Sequence, residues 1–336
     1  MHTTDKIITH REYDVVGMGH ALMDIIVTVD DDFLKELDVA KGSMTLIDDT
    51  KHAALIKMLS DKDLLKATGG SASNTIKGVS ILGGFGAFMG MIGNDDYGKT
   101  YEKLLLKSDV KPALGKCGKD TGIAIICITP DGERTMLTYL GAASEFRIEN
   151  VDEDIIKKSK ILHVEGYFIG NPETEKAVMK AMEIAKANHR KISIDLSDPG
   201  LIQGKIESIK TLLKEYVDIV FVNEYEAKAF TGVEEEDAVH ILSEYCDVAI
   251  VKLGAKGSII KHRNKIHNIP VHKVEVVNTN GAGDAYASGI LYAIAHDIPI
   301  DKAGTLASYI SSKVVSIAEA TLDHSIADVV KKIVEE

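Results

Sequence analysis

Short apolar runs of β-forming residues alternate with longer amphipathic stretches along most of the chain, and this alternation restricts the fold. The runs with strand character are Tyr13–Gly17, Phe85–Ile92, Ile161–Val164, Ile192–Asp195, Ile219–Asn223, Val248–Lys252 and Ser258–Lys261. The stretches with helical periodicity are Ser71–Leu82, Thr100–Lys107, Glu173–Ala187, Ile206–Glu215, Asp237–Glu244, Ala285–Ala295, Ile300–Glu319 and Ile326–Glu335. Strands that are apolar throughout must be covered on both faces, so this order predicts an α/β fold with a parallel sheet between helices.

Two regions interrupt this rhythm. Asp24–Val29 and Ser43–Ile47 flank an acidic insert, while Thr121–Thr129 and Arg134–Leu140 are joined by the turn PDGE, which is typical of a hairpin. We expect a single domain over residues 1–336, into which 24–48 and 120–141 insert as a small β-sheet lid. A lid of this kind would exclude water from a reaction. The alternative is an edge decoration or a dimer surface.

Composition excludes several classes of protein. The 39 Lys and Arg against 51 Asp and Glu give a net charge of −12, which argues against nucleic acid or an anionic membrane as a partner. No apolar stretch is long enough to predict a membrane span. Cys117, Cys127 and Cys246 are widely spaced, which favours a reducing cytoplasm over a disulfide framework or a zinc site. The polar N-terminus lacks the apolar core of a secretory signal, so a cytoplasmic location is expected.

The segment Asn278–Ala285, NTNGAGDA, is the most informative local motif. It follows the strand-like run His272–Val277 and opens an apolar helix. Gly281 and Gly283 allow close backbone approach to a ligand, and the first amides of the helix would point at an anion there. Asp284 would repel a phosphate, but it could take the proton of a hydroxyl that attacks phosphorus. The alternative is an ordinary helix start with an acid in its first turn.

A second glycine motif, GGSASN, opens the helical stretch that begins near residue 71. The pair Gly69 and Gly70 indicates a hinge or close approach of a ligand, and Asn74, one turn into the helix, could bond sugar hydroxyls. The alternative is a helix capped by Ser71 or Ser73.

The segment Gly93–Thr100 matches the P-loop pattern GxxxxGK[ST] letter for letter. However, Asp95 and Asp96 stand where such a loop would cradle phosphates, and their charges would oppose a triphosphate. We therefore favour a strand–turn–helix connection with a solvated Lys99. A P-loop NTPase that uses Lys99 is the competing hypothesis.

Polar residues follow two of the late apolar strands, where ligands of open α/β sheets bind. Asn223 and Glu226 would share a helix face, and the carboxylate could hold Mg²⁺ through water, unless Asn223 is simply an N-cap. Lys252, Gly254 and Gly257 form a strand followed by a glycine turn that could make one wall of a nucleotide site.

Two residues of the predicted lid could also contact ligands. Asp24 follows an apolar strand–turn and could bond paired hydroxyls of a sugar. Arg134 begins the second hairpin strand and could move over a phosphate.

The order of these motifs resembles the ribokinase family, also called PfkB carbohydrate kinases. The resemblance rests on GGSASN at 69–74, NEYE at 223–226, the glycine turn at 254–257 and NGAGD at 280–284, and it spans nearly the whole chain. Within the family, the chain looks most like adenosine kinases and their bacterial relatives, because of ALMD at 21–24, the spelling Thr279-Asn280-Gly281, and the insert that ends GSMTLI at 42–47.

The resemblance implies a three-layer αβα ribokinase-like fold with a mostly parallel sheet and a lid. It implies transfer of the γ-phosphate of ATP, with Mg²⁺ and with a monovalent cation such as K⁺ as a further candidate. The acceptor would be a primary hydroxyl of a nucleoside or a sugar, and the protein a monomer or a lid-mediated homodimer. A ribokinase- or fructokinase-like sugar kinase is the main alternative. A kinase-like binding protein without turnover is less favoured, because the GAGD motif is intact.

The resemblance also groups the candidate site residues. Those assigned to catalysis are Asp284, Gly281, Ala282, Gly283 and Arg134. Those assigned to the acceptor are Asp24, Gly69, Gly70 and Asn74. Those assigned to ATP are Asn223, Glu226, Lys252, Gly254, Gly257, Thr279 and Asn280. Asn278 departs from the aspartate usual in the family, which bears on cation activation, and Thr45 and Leu46 lie where adenosine-stacking aromatics are expected.

Overall fold

The computed structural model describes residues 13–60, 62, 64–131, 133–317, 320–322 and 326–335. The strands are β1 Tyr13–Met18, β2 Leu22–Thr28, β3 Met44–Leu46, β4 Leu65–Gly69, β5 Gly86–Gly93, β6 Val110–Cys117, β7 Gly122–Ile128, β8 Arg134–Tyr139, β9 Ser159–Glu165, β10 Lys191–Asp195, β11 Ile219–Asn223, β12 Val248–Lys252, β13 Ser258–His262 and β14 Lys265–Ile269. The α-helices are α1 Asp31–Glu36, α2 Asp49–Met58, α3 Ser71–Ile81, α4 Asp96–Lys107, α5 Glu153–Lys157, α6 Pro172–Ala187, α7 Pro199–Gly204, α8 Ile206–Tyr216, α9 Glu224–Thr231, α10 Glu235–Leu242, α11 Ala282–Ala295, α12 Ile300–Val315 and α13 Ala327–Glu335.

Some expectations fall outside these ranges. The polar N-terminal segment 1–12 and the predicted end of a helix at Glu319 are among the residues not described. Within the described parts of the chain, the helices are too short or too polar to cross a membrane.

The larger sheet has nine strands in the order β14-β13-β12-β11-β10-β9-β1-β5-β6. The strands from β6 to β12 run parallel, and β13 and β14 are added antiparallel at one edge. The predicted mostly parallel sheet is therefore confirmed. The chain leaves β1 towards β5 on one side and returns to β9 on the other, which opens a crevice at the carboxyl ends of these strands.

Helices cover both faces of this sheet because successive strand residues point to opposite sides. In β1, Val15 packs in one buried cluster with residues of α3, α11 and α12, whereas Val16 packs in another with residues of α6, α8, α9 and α10. Both valines are fully buried. The three-layer αβα arrangement expected from the resemblance is confirmed.

The lid is a separate five-stranded sheet in the order β3-β8-β7-β2-β4. The four predicted runs form four of its strands, and the PDGE turn joins the antiparallel pair β7 and β8. The fifth strand, β4, was not predicted. One face of the lid is covered by α1 and α2, whose Leu34, Leu55 and Leu59 are buried against it. The other face looks towards the carboxyl ends of the large sheet.

The strand predicted at His272–Val277 is wrong. These residues have no regular structure, although their alternation of apolar and polar residues suits a strand. Their backbone bonds go to α12 instead of a neighbouring strand: the His272 amide donates to the Ser308 hydroxyl, and the Val277 amide donates to the Val315 carbonyl. Without a partner strand, the alternation leaves Val276 61% exposed.

The P-loop hypothesis does not fit the segment Gly93–Thr100. Asp95 is the N-cap of α4: its carboxylate accepts hydrogen bonds from the Gly98 amide (2.7 Å) and from the amide (2.7 Å) and hydroxyl (2.6 Å) of Thr121. Because of this cap the helix begins at Asp96, four residues before the predicted start. Lys99 is exposed and pairs with Asp96. The segment is a strand–turn–helix connection, as predicted from the charges of Asp95 and Asp96.

Asp95→Ala should lower the free energy of unfolding by about 2–3 kcal/mol, because the cap and two further hydrogen bonds are lost. Urea denaturation would measure this change. Lys99→Ala should leave unfolding unchanged, since its ion pair is solvated. A Lys99→Ala protein that keeps its stability but no longer binds nucleotide would restore the P-loop hypothesis.

Candidate active site

A cavity of about 530 Å³ lies between the open face of the lid and the carboxyl ends of the large sheet. Its size is in the usual range for a small-molecule site. Three structural sources supply most of its walls. The lid contributes Leu22, Asp24, Met44, Leu46, Ala124, Ile126, Met136 and Thr138. Strand ends contribute Glu165, Asp195, Asn223 and Lys252, and the starts of helices contribute Gly70, Ser71, Asn74, Glu226, Gly281, Gly283 and Asp284.

The lid wall is mostly aliphatic. The strands are aligned so that Ala124 lies opposite Thr138 and Ile126 lies opposite Met136, and alternate residues of each strand therefore share this face. Leu46, on the edge strand β3, remains 61% exposed. The lid thus offers an apolar surface that a ligand could cover.

Asp284 lies in the first turn of α11, where α11 meets the start of α3. The Ser71 hydroxyl donates to one carboxylate oxygen (2.7 Å), and the Asn74 amide donates to the other (3.0 Å). Burial raises the pKa of Asp284 to about 6, and these two hydrogen bonds oppose the rise. The group is therefore mostly ionised at neutral pH, oriented by α3, and still a usable base.

The start of α3 is capped by a side chain at the end of β9. The Ala72 amide donates to the Glu165 carboxylate (3.1 Å), whereas Gly70, the N-cap residue, has no side chain to do so. The alternative of capping by Ser71 is therefore wrong, because its hydroxyl is bonded to Asp284. The hydroxyl of Ser73 is buried without a hydrogen-bond partner, so it does not cap the helix either.

The glycine turn before α11 has the geometry of an anion site. Gly281 has a φ of 74°, and a Cβ there would lie 2.1 Å from the Ala320 carbonyl oxygen, so only glycine fits. A Cβ at Gly283 would lie 3.1 Å from the ammonium nitrogen of Lys252. The helix N-terminus and a lysine thus bring positive potential to the same spot.

Lys252 is held at that spot by Asp195. The Lys252 ammonium and the Asp195 carboxylate, at the ends of β12 and β10, form a buried ion pair of 2.6 Å. Burial lowers the pKa of Lys252, but the carboxylates of Asp195 and Glu226 outweigh it and raise the pKa above its ordinary value. Sequence reasoning missed Asp195, although its position at the carboxyl end of a buried strand was a usable signal.

Asn223 and Glu226 form a capping box at the start of α9. The Asn223 side chain accepts from the Glu226 amide, and the Glu226 carboxylate accepts from the Asn223 amide (2.7 Å) and side chain (2.6 Å). The N-cap expected as the alternative is therefore present, but Glu226 still lines the cavity. Burial and the nearby Asp195 raise the pKa of Glu226 to about 7.

Within the described ranges, no three His, Cys, Asp or Glu side chains cluster closely enough to hold a metal ion. Glu226 as a ligand through water remains a prediction.

Asp24 is a buried carboxylate on the cavity side of β2. Among the described residues no donor is hydrogen-bonded to it. A Cβ at Gly69 would lie 2.0 Å from one of its oxygens, so this glycine makes room for the carboxylate. Burial raises the pKa of Asp24 to about 7, and the charge of Lys77 lowers it. A buried acceptor group that lacks donors points to donors on a ligand.

Sequence reasoning also missed the pair His20 and Glu165. The His20 ring is 2.7 Å from the Glu165 carboxylate through Nδ1, and both residues are buried in the cavity wall. Glu165 ends a buried strand and could have been noticed for that reason. His20 lies in a short connection between two apolar runs, where no pattern marks it.

Other predicted residues lie near the cavity but do not line it. Arg134 begins β8 on the same face as Met136, beyond the cavity, and Thr279 is exposed beside the glycine turn. Gly254 and Gly257 form the turn between β12 and β13. Gly69 makes room for Asp24, and Ala282 begins α11. Their roles towards a ligand remain predictions.

Asn278 is buried, and its side chain accepts from the Asn280 amide (2.8 Å), which fixes the entry to the glycine turn. Asn280 itself lines the cavity.

Comparison with known proteins agrees with this architecture. Residues 41–325 match the profile of the pfkB family carbohydrate kinases. Adenosine kinase 2 of Arabidopsis thaliana is 27% identical over 340 residues, 91% of this chain and 95% of the relative. Fructokinase-1 of Zea mays is 29% identical over 273 residues, 78% of this chain and 84% of the relative. The crystal structure of adenosine kinase from Sinorhizobium meliloti has a TM-score of 0.88 at 32% identity, covering 96% of this chain and 99% of that one. The chain therefore belongs to the PfkB family of carbohydrate kinases and has the ribokinase-like fold of that family.

Proposed function

We propose that this kinase transfers the γ-phosphate of ATP to the primary hydroxyl of a ribose-containing, adenosine-like nucleoside. Kinases of the family generally use ATP and Mg²⁺. The observation that carries the proposal is the cavity itself: an oriented Asp284 beside a glycine turn, with an unpartnered Asp24 and an apolar lid wall facing it. The glycine turn suits a phosphate, Asp24 suits hydroxyl groups, and the apolar lid wall suits a nucleobase.

Asp284 acts as the general base. A hydroxyl is a poor nucleophile while it keeps its proton, and a carboxylate within about 3 Å can accept that proton as the oxygen–phosphorus bond forms. Ser71 and Asn74 hold the carboxylate in place, so little reorganisation is needed during the reaction. The acceptor hydroxyl gives its proton to Asp284, and the γ-phosphoryl group passes from ATP to the acceptor oxygen, with ADP as the leaving group.

The glycine turn and Lys252 stabilise the transferring phosphoryl group. The amides around Gly281–Gly283 point towards an anion at the helix N-terminus, and the Lys252 ammonium lies directly beside them. Mg²⁺ supplies further charge neutralisation when bound, with Glu226 as its contact through water. Arg134 would reach the phosphates only through movement of the lid. A monovalent cation such as K⁺ is a further candidate cofactor, and the departure from the family's usual aspartate at Asn278 bears on activation by it.

The phosphates of ATP would extend from the glycine turn towards the start of α9. Asn223, Glu226 and Asn280 line the cavity there, and we place Thr279, Gly254 and Gly257 at its outer rim.

The acceptor ribose would lie between Asp24 and Asp284. Asp24 can accept hydrogen bonds from two neighbouring hydroxyls, and its burial makes those bonds strong. Asn74 lines the cavity and donates to Asp284 through its side-chain amide. Gly70 also lines the cavity, and packing against His20 requires glycine there, because a Cβ would lie 2.1 Å from the His20 carbonyl oxygen.

The apolar lid favours a nucleoside over a plain sugar. A purine would cover Met44, Leu46 and Met136, whereas a hexose would leave that wall in water. The second candidate is a fructokinase-like activity. It is favoured by the fructokinase relatives and by Thr45 and Leu46, which stand where stacking aromatics are expected for adenosine.

We expect the enzyme to act in the cytoplasm as a monomer or as a homodimer through the lid. Because α1 and α2 cover one lid face, a lid dimer would use an edge strand, β3 or β4.

Asp284→Asn keeps the shape and removes the basicity, so kcat should fall by about 10²- to 10⁴-fold. Calorimetry should show binding of ATP and acceptor within a few-fold of the wild type. Asp96→Asn is the matched control, an exposed acid in the first turn of α4, and it should change neither quantity. Retained turnover would exclude Asp284 as the base, whereas lost binding would assign it a structural role.

Asp24→Ala should lower kcat/KM for the acceptor by about 30- to 1000-fold, because a charged acceptor of two hydroxyl bonds is lost. ADP release with adenosine, inosine, ribose and fructose would measure the effect and the preference together. Near-normal kcat/KM on the preferred substrate would contradict the role of Asp24. Equal or better turnover of a hexose by the wild type would favour the fructokinase-like alternative.

A further inference from the structure

A second cavity, of about 230 Å³, shares no described lining residue with the active-site cavity. Its walls come from β4 of the lid, from α3, from the end of α4 and from the segment Ala320–Leu322. Three lysines line it, Lys66, Lys77 and Lys107, and Asp109 is the one acid among the described lining residues. Positive charge therefore predominates in this wall, although the whole chain carries a net charge of −12.

Lys77 is the buried cation of this wall. Only 7% of its surface is exposed, whereas Lys66 and Lys107 are exposed. The Lys77 ammonium donates hydrogen bonds to the hydroxyls of Thr68 (2.9 Å) and Thr321 (2.6 Å). An ammonium has three donors, and no described residue accepts from the third or forms an ion pair with it. A buried charge that is held only by neutral hydroxyls is costly, and a bound anion would offset that cost.

Apolar side chains line the same cavity beside the ammonium. They are Ala67 on β4, Ile81 on α3, Leu104 on α4 and Leu322. The cavity is smaller than the sites of drug-sized ligands, but larger than one water or a bare ion needs. A carboxylate would pair with the ammonium, and a short hydrocarbon body would leave water against the apolar side chains. The ligand that fits is therefore a small organic acid.

The segment Ala320–Leu322 also touches the active site. A Cβ at Gly281 would lie 2.1 Å from the Ala320 carbonyl oxygen, so the backbone of Ala320 packs directly on the glycine turn. The next residue, Thr321, is hydrogen-bonded to Lys77. A ligand that engages the Lys77 ammonium therefore binds one residue away from the support of the glycine turn.

We propose that this second cavity is an effector site, which binds a small organic carboxylate through the Lys77 ammonium and holds the segment Ala320–Leu322 against the glycine turn. The effect on ATP rests on the proposed function, in which that turn receives the phosphates. A turn that is held in place before ATP arrives loses less freedom when ATP binds, so the carboxylate should tighten ATP binding. Because coupling between two ligands is reciprocal, ATP should tighten carboxylate binding by the same factor.

Hexanoate is the probe for this site. Acetate has the same charge without the apolar body, and hexan-1-ol has the body without the charge. Calorimetry on the full-length protein should give hexanoate a Kd at least about tenfold below the Kd of either. Saturating hexanoate should lower the Kd of a non-hydrolysable ATP analogue by about fivefold or more, and the analogue should lower the Kd of hexanoate equally. The KM for ATP should fall with it, while kcat changes less.

Lys77→Met removes the ammonium and keeps a side chain of similar length. It should weaken hexanoate binding by about tenfold or more and abolish the coupling to the ATP analogue. Lys103→Met is the matched control, because Lys103 is an exposed lysine of α4 that does not line the cavity, and its removal should change neither quantity. If Lys77→Met does not fold, Ser80→Leu keeps the lysine but fills the cavity that Ser80 lines, and it should abolish hexanoate binding.

Hexanoate binding that survives Lys77→Met, or Ser80→Leu in its place, would overturn the proposal. Acetate or hexan-1-ol binding as tightly as hexanoate would do the same. Hexanoate that binds through Lys77 but leaves the Kd of the ATP analogue unaltered would remove the effector role. A protein that shows both the binding and the coupling, yet transfers phosphate to no acceptor, would refute the proposed function and leave this inference standing.

Discussion

The two hydrogen bonds that α3 donates to Asp284 are the interaction on which the site depends. Ser71 and Asn74 bring the start of α3 against the start of α11, and the cavity forms where these two helices meet. The same contact orients the Asp284 carboxylate, and the Asp24 carboxylate faces the same cavity. Glu165 holds the start of α3 from the opposite side, through the Ala72 amide. Most candidate site residues therefore lie on helix starts and strands, not on free loops, which limits their movement.

Sequence patterns predicted the parts of the fold that have their own hydrophobic signal. The central strands were predicted because both of their faces are buried, and the β7–β8 hairpin because its turn is explicit. β6 and β14 were missed because edge strands need no apolar run: β6 contains Lys111, Pro112 and Lys116, and most of its residues are half-buried. The strand prediction for His272–Val277 was wrong for the converse reason: the segment alternates apolar and polar residues, but the fold places no partner strand beside it. β4 was missed because Leu65 and Lys66 at its start face solvent.

The site was predictable wherever chemistry coincides with a glycine turn or a strand end. Asp284 and Asn223 were found in this way. His20 and Asp195 were not, because each is paired with a residue distant in sequence. Burial raises the pKa of Asp24, Glu226 and Asp284, and the positive charge of Lys252 opposes this rise at Glu226 and Asp284. Pairwise charge compensation of this kind depends on the fold and leaves no local signature.

The groups that meet at Asp284 are far apart along the chain, and this affects folding during translation. Ser71 and Asp284 are 213 residues apart, and Asn74 and Asp284 are 210 apart. Most residues of α3 are buried, and α11 is the helix against which α3 packs most extensively. A ribosome must therefore translate most of the polypeptide before α3 acquires its cover, and the nascent N-terminal half carries an uncovered apolar helix during that time. Contacts of such range make folding slow and expose the growing chain to aggregation, so chaperone demand during translation should be set by the late arrival of α11.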